Sequence, residues 1–478
     1  FIEVCLQVVA SCIALGTTIQ SGICLSFSAV LIPQLTQEFS GFTKVEASWI
    51  ASLSAIAIPL GALLVGPIMD AIGRRKTCTL ACVPLFVSWI VTYTAPALWP
   101  IYLARVLMGF GAGLTTAAVV YTAEVSCVEF RPALLCLNSV TVALGILLTT
   151  VLGVQVHWRT ACLCFAALAA INCALTLLTP ESPYWLVHFT RPQRGFQEAK
   201  KAVGWLNRPP WLFQAEWKLL QDSYKSREAA PTVGLKSKLS DTLKMFTDRS
   251  CLAPLRILLI VFAFQQLSGV YIIIFYAVNI FQSIGGQFGA SVDEYTATAA
   301  MGVIRFLMST LTVFLARRLG RRVLMSVSSV GMALMCLSVA VAQYSAGNAA
   351  VDFLTGVTSG PTSTEVTRNE PHRWITLVSL LLFVCAAAVG HMAIPWVLMS
   401  EILPIKMRGI GNGLLVSYAY VLMFGVIKTF PYLLDSLGLA TVFLGYGVIA
   451  TACIFYIYFY LPETFGKSFA EIAKQFEK

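Results

Sequence analysis

Long apolar runs fill this chain, and polar residues come mostly in the short breaks between them. A helix that crosses the hydrocarbon of a bilayer needs about 20 mostly apolar residues. Runs of that length lie at 5–31, 49–69, 77–95, 98–121, 133–154 and 160–179. After a polar stretch, six more lie at 256–282, 296–316, 323–343, 374–398, 411–433 and 440–461. The pattern predicts twelve transmembrane helices. Residues 180–255 read differently. There "FQEAKKAVGWL" and "WLFQAEWKLLQDSY" set apolar residues at helical spacing with charges between them. Pro209-Pro210 separates the two, so short amphipathic linker helices are expected.

Composition agrees with the pattern. Of the 478 residues, 58% are hydrophobic and 12% charged, against about 45–50% and about 25% in an ordinary soluble domain. The expected fold class is an all-α membrane protein. The net charge of +10 reads as topology once its distribution is seen. With both ends cytoplasmic, 26 of the 33 Lys and Arg fall in cytoplasmic segments. Arg74-Arg75-Lys76, Arg317-Arg318 with Arg321-Arg322, and Lys406 with Arg408 are the short-loop witnesses. Basic residues dispersed this way do not form a nucleic-acid footprint. The 14 Cys are scattered through apolar runs without a CxxC pair, which reads as buried thiols and no metal site.

The two halves echo each other. Gly73-Arg74-Arg75 follows the second span, and Gly320-Arg321-Arg322 follows the eighth. Glu124 precedes Arg131 by seven residues, and Glu401 precedes Arg408 by seven. Pro180-Glu181-Ser182 closes the sixth span, and Pro462-Glu463-Thr464 closes the twelfth. Paired signals in one order imply a duplicated six-span unit with a substrate path at the repeat interface near mid-bilayer. The expected domains are a first half at 1–179, a cytoplasmic linker at 180–255, a second half at 256–461 and a tail at 462–478.

At these residues the chain resembles the sugar porter branch of the major facilitator superfamily, which includes the glucose facilitators and the insect trehalose-transporter-like proteins. The resemblance is carried by "DAIGRRK" at 70–76, "YTAEVS" at 121–126, "PESPYWL" at 180–186, "QQLSG" at 265–269, "IPW" at 394–396, "SEILPIKMRG" at 400–409 and "PETFGKS" at 462–468. It implies the major facilitator fold, two pseudo-symmetric six-helix halves. It also implies a cytoplasmic gate built from Asp70, Arg74, Arg75, Glu124, Arg131, Arg321, Arg322, Glu401 and Arg408. Guanidinium–carboxylate pairs are strong enough to hold the two halves together on the inner side until they break.

The resemblance also implies a central site. Gln265 and Gln266 match glutamines that hydrogen-bond sugar hydroxyls, and amides offer both donors and an acceptor. Trp396 matches an aromatic that stacks on the apolar face of a sugar. Other positions depart from the family: Tyr271 and Arg305 stand where asparagines are usual, Ser139 replaces a glutamine, Ala419-Tyr420 replace Asn-Trp, and His391-Met392 interrupt a Gly- and Pro-rich run. Proton-coupled relatives pair a first-helix acid with the arginine matched here by Arg105, and the first helix here carries no acid. The resemblance therefore implies facilitated diffusion.

Arg305 is the unusual residue. On a helix it shares a face with Gly302, Ser309 and Thr312. A charge at mid-span costs about 2.5–3.5 kcal/mol on insertion scales. That face is expected to line a watered cavity, where Arg305 would hold a substrate. No catalytic or cofactor motif is present: no nucleophile elbow, no HExxH and no GxxxxGK[ST]. Three readings stand: a monomeric plasma-membrane transporter of a sugar or polyol (hexose or disaccharide) by alternating access, the same fold carrying a small organic anion on Arg305, or a non-transporting ligand sensor.

Overall fold

The computed structural model describes residues 5–39, 41–127, 130–190, 192–207, 209–228, 249–284, 287–288, 292–316, 318–354, 363–403 and 408–465. In chain order the helices are α1 (Cys5–Glu38), α2 (Lys44–Ile72), α3 (Arg74–Tyr93), α4 (Leu98–Leu114), α5 (Thr116–Val125), α6 (Arg131–Gln155) and α7 (Trp158–Leu178). Three linker helices follow: α8 (Pro183–Phe189), α9 (Pro192–Leu206) and α10 (Pro210–Glu228). Then come α11 (Arg249–Leu267), α12 (Val270–Ile284), α13 (Glu294–Leu315), α14 (Arg321–Leu354), α15 (Ser363–Val389), α16 (Ile394–Ile402) and α17 (Arg408–Tyr460). A two-residue antiparallel pair, Gln287–Phe288 with Val292–Asp293, precedes α13 and departs from a purely helical chain.

Eleven helical stretches among the described residues are long and apolar enough to cross a membrane. The last, Gly411–Tyr460, has 50 residues, more than twice what one crossing requires. It is interrupted at Gly438, whose φ of 73° and ψ of 164° leave the helical region. That glycine falls between the two predicted spans at 411–433 and 440–461, so twelve crossing segments are accounted for. Prolines and glycines explain the other breaks. Pro183 follows Ser182, whose hydroxyl accepts from Trp185 N at 3.3 Å and starts α8. Gly269, at φ 79°, separates α11 from α12.

The chain forms two compact units. The first comprises Phe1–Cys24, Leu53–Gly145 and Arg159–Leu252. Its helices meet backbone to backbone at glycines. A Cβ on Gly145 of α6 would lie 2.9 Å from Ile23 N and 3.0 Å from Gly22 Cα of α1. A Cβ on Gly113 of α4 would lie 2.8 Å from Ala62 N of α2. Small residues permit this because helix association in lipid relies on close van der Waals packing. Gln20 ties three helices: its Oε1 accepts from Trp89 Nε1 at 2.8 Å, and its Nε2 donates to Phe165 O at 3.0 Å. The linker belongs to this unit. Trp185, Leu186, Val187, Ala199 and Ala202 form its own small core, and Gln7 Nε2 donates to Asn207 Oδ1 at 2.5 Å.

The second unit comprises Leu25–Ser52, Ile146–Trp158 and Ala253–Lys478. Its α13 is sided as the sequence predicted. Gly302, Arg305, Ser309 and Thr312 are buried, whereas Val303, Leu307, Leu311 and Phe314 are exposed on the other face. An apolar face turned outward is what lipid-facing helices require. Gly302 lets this helix approach Thr150 of α6, whose Oγ1 stands where a Cβ would go. Asp293 caps α13, accepting from Thr296 N at 2.8 Å, and hydrogen bonds from the Thr296 side chain and main chain hold its carboxyl below the usual range.

Candidate functional site

In the second unit, the expected substrate residues gather around two broken helices. One break is Ser268–Gly269, between α11 and α12; the other is Gly390–Ala393, between α15 and α16. The two breaks are joined directly. Gln265 Nε2 donates to the carbonyl of His391 at 2.5 Å, and Gln266 Nε2 donates to Gln265 Oε1 at 3.2 Å. Gln266 Oε1 is buried without a partner. On the aromatic side, Trp396 packs edge-on against Phe262, with ring centroids 5.0 Å apart, and lies 6.1 Å from Tyr420. Tyr271 is buried and interacts with the side chains of both Arg305 and Trp396. Trp396 and Tyr420 are half-buried, so their rings remain partly accessible.

Two predicted residues sit differently. The His391 ring is fully buried and already engaged: Nδ1 lies 3.3 Å from Ser328 Oγ, and Nε2 lies 3.6 Å from Cys453 Sγ. What His391 gives the cluster is its main-chain carbonyl. Ser139 is half-buried on α6 and belongs to the first unit. Arg305 is 4% exposed, and its Nη1 contacts Met392 Sδ.

The charged clusters occur twice with matching geometry, once in each unit. In the first, Arg74 Nε donates to both oxygens of Glu124 at 3.1 Å, and Arg74 Nη1 reaches Asp70 at 3.1 Å and Met69 O at 3.2 Å. In the second, Arg321 Nη2 donates to Glu401 Oε1 at 2.8 Å, and Nη1 reaches Ala316 O at 2.5 Å. Ser182 Oγ donates to Glu124, as Thr464 Oγ1 donates to Glu401 at 2.6 Å. The guanidinium of Arg74 lies 5.0 Å from the Phe189 ring centroid, and that of Arg321 lies 5.4 Å from Phe465. Arg75 Nη1 donates to Thr179 O at 3.2 Å, and Arg322 Nη2 donates to Tyr458 O at 2.6 Å. These pairs each close within one unit.

Glu181 and Glu463 complete the clusters. In the sequence they read only as repeat markers. Glu181 Oε1 accepts from Arg75 N and Ser182 N, both at 2.9 Å. Glu463 accepts from Arg321 N at 2.8 Å, Arg322 N at 3.2 Å, and Thr464 N and Phe465 N at 3.0 Å. Each carboxylate therefore sits at a helix N-terminus, where free N–H groups and the helix dipole favour an anion. Each also occupies the space where a Cβ on Gly73 or Gly320 would stand. The glycine in each Gly-Arg-Arg exists for this approach, and at Gly73 for a φ of 105° as well. Arg131 bonds Ser126 O at 3.1 Å. Its nearby carboxylate is Glu216 of linker helix α10, which burial pushes up and Arg131 draws down. The Arg408 side chain lies outside the described residues.

Residues 10–476 match the family described as "Sugar (and other) transporter". A facilitated trehalose transporter Tret1 from Polypedilum vanderplanki is 31% identical over 434 residues, 91% of this chain and 80% of that protein. One from Bombyx mori is 31% identical over 445 residues, 93% of this chain and 81% of that protein. The proton:xylose symporter XylE bound to 6-bromo-6-deoxy-D-glucose shares the fold, with a TM-score of 0.76 at 19% identity over 99% of this chain and 100% of that one. The inward open form of XylE from E. coli gives 0.73 at 19% identity over 97% and 98%. With a family match over nearly its whole length, a duplicated charge cluster and a membrane-crossing helical fold, the chain belongs to the sugar transporter family of multi-pass integral membrane proteins.

Proposed function

We propose that the protein carries a neutral sugar or polyol, chemically unchanged, down its gradient by alternating access. The observation that carries this reading is the bond from Gln265 to the His391 carbonyl. It brings two helix breaks together beside Gln266, Tyr271, Trp396 and Tyr420, giving amides, freed backbone groups and aromatic faces in one place. Discontinuous helices are where transporters of this kind bind solute. The trehalose-transporting relatives make a hexose or disaccharide the first candidate.

Uniport rather than proton coupling is supported by the first helix. The first helix holds no acid among its described mid-span residues. The duplicated Arg–Glu clusters would brace the cytoplasmic ends of each half, with both termini and the 180–255 linker on that side of a plasma membrane. The halves at 1–179 and 256–461 would be the moving bodies, and a single chain would suffice.

Uptake into proteoliposomes tests the reading. Labelled trehalose and glucose should enter and equilibrate without accumulation, with or without a pH gradient. Trp396→Leu should raise KM about tenfold, the loss of about 1.4 kcal/mol expected from one stacked aromatic. Saturable sugar binding without any uptake would favour a sensor and overturn transport.

A further inference from the structure

Among the described residues, Arg305 is a buried cation without a countercharge. It is 4% exposed, and its one bonded contact is the thioether of Met392, a weak acceptor. Its Nε–H has no partner. One turn further along the same face, Ser309 is 2% exposed, and its Oγ also has no partner. Residues four apart on a helix are neighbours, so two unused donors project from the same buried face.

No carboxylate of the second unit is available to them among the described residues. Glu294 stands at the start of the same helix, 11 residues away, or about 16 Å along the axis. Glu401 is held by Arg321 and Thr464. Glu463 caps α14. Asp435 is paired with Lys44. The His391 ring is turned to Ser328 and Cys453. Tyr271, the remaining titratable neighbour, offers a neutral hydroxyl. A guanidinium does not deprotonate in such surroundings, and leaving it unpaired costs several kcal/mol.

We propose that Arg305 Nε and Ser309 Oγ form the core of a buried site for one small monovalent anion. Two sources share this chemistry: a free halide, or the carboxylate of an acidic sugar entering as substrate. Only the second rests on the transport reading.

The probe is chloride-36, measured by scintillation proximity on purified protein in chloride-free sulfate buffer. Wild-type protein should bind it saturably, near one per chain. Arg305→Gln should abolish binding, and Ser309→Ala should weaken it about tenfold, in line with one hydrogen bond to a charged partner. Glucuronate that displaces the label and enters vesicles identifies the substrate source. Chloride binding indifferent to glucuronate identifies a resident ion. Wild-type protein that binds neither anion yet takes up neutral sugar overturns the site and leaves the transport reading intact. Should Arg305→Gln fail to fold, Ser309→Ala decides, and unchanged chloride affinity there overturns the site.

Discussion

Lys428 sits within the apolar run of α17, yet its ammonium is well used. It lies 3.7 Å from the centroid of the Trp49 ring and donates to Ser48 Oγ at 2.8 Å. Both partners are near the start of α2, so the lysine joins the first part of the chain to the last within one unit. A second tie, Lys44 to Asp435 at 2.6 Å, runs nearby, but its side chains are 70% and 49% exposed. A half-desolvated cation–π contact contributes about 1 kcal/mol, and a charged hydrogen bond, discounted for partial exposure, about another 1 kcal/mol. The exposed pair contributes about 0–1 kcal/mol. Lys428→Met should therefore lower the ratio of joined to separated arrangements about 30-fold. Lys44→Ala should lower it about fivefold at most. The assay is electron–electron double resonance between nitroxides at Thr43 and Leu437, both exposed, in a cysteine-depleted background. A short-distance population in Lys428→Met equal to that of the parent, or a larger effect from Lys44→Ala, would refute the assignment of the tie to the ring and hydroxyl.

Two further outcomes concern stability. Glu463→Gln should destabilise the protein by about 1.5–3 kcal/mol, because the amide cannot accept all the N–H groups the carboxylate accepts. Glu181→Gln should cost a similar amount, and unmoved melting midpoints in detergent for both would show that these carboxylates bear no structural weight. Gly145→Ala should drive α1 from α6, since the new Cβ meets main-chain atoms that cannot rotate away, at about 1–3 kcal/mol or more. Gly425→Ala, where nothing lies within 4 Å, is the control, and equal monodisperse yields for the two on size exclusion would contradict the packing argument.

Much of this architecture is legible in the sequence, for a physical reason. Crossing a bilayer imposes a run length and a composition on every span, so eleven helical stretches fall on the predicted twelve runs, with Gly438 dividing the last. The buried stripe at Gly302, Arg305, Ser309 and Thr312 follows from helical spacing alone. The site was less legible. By its side chain His391 reads only as a departure from a Gly- and Pro-rich run, whereas its carbonyl is what Gln265 binds. A main-chain acceptor leaves no mark in side-chain identity. Glu181 and Glu463 were visible as repeats, but their task depends on a helix N-terminus brought close by Gly73 and Gly320, which is a fact of three dimensions. Lys428 shows the same limit: 379 positions separate it from Trp49 in the numbering, and no periodicity connects them.

The interruptions at Ser268–Gly269 and Gly390–Ala393 carry a consequence for how such a carrier changes its cargo. A peptide group keeps its oxygen whatever residue occupies the position, and its N–H through every replacement but proline. Recognition that begins with peptide groups therefore survives exchange of the surrounding side chains. Tyrosine and arginine can then stand where amides are usual without stripping these breaks of hydrogen-bonding capacity, leaving shape and charge free to choose which solute is admitted.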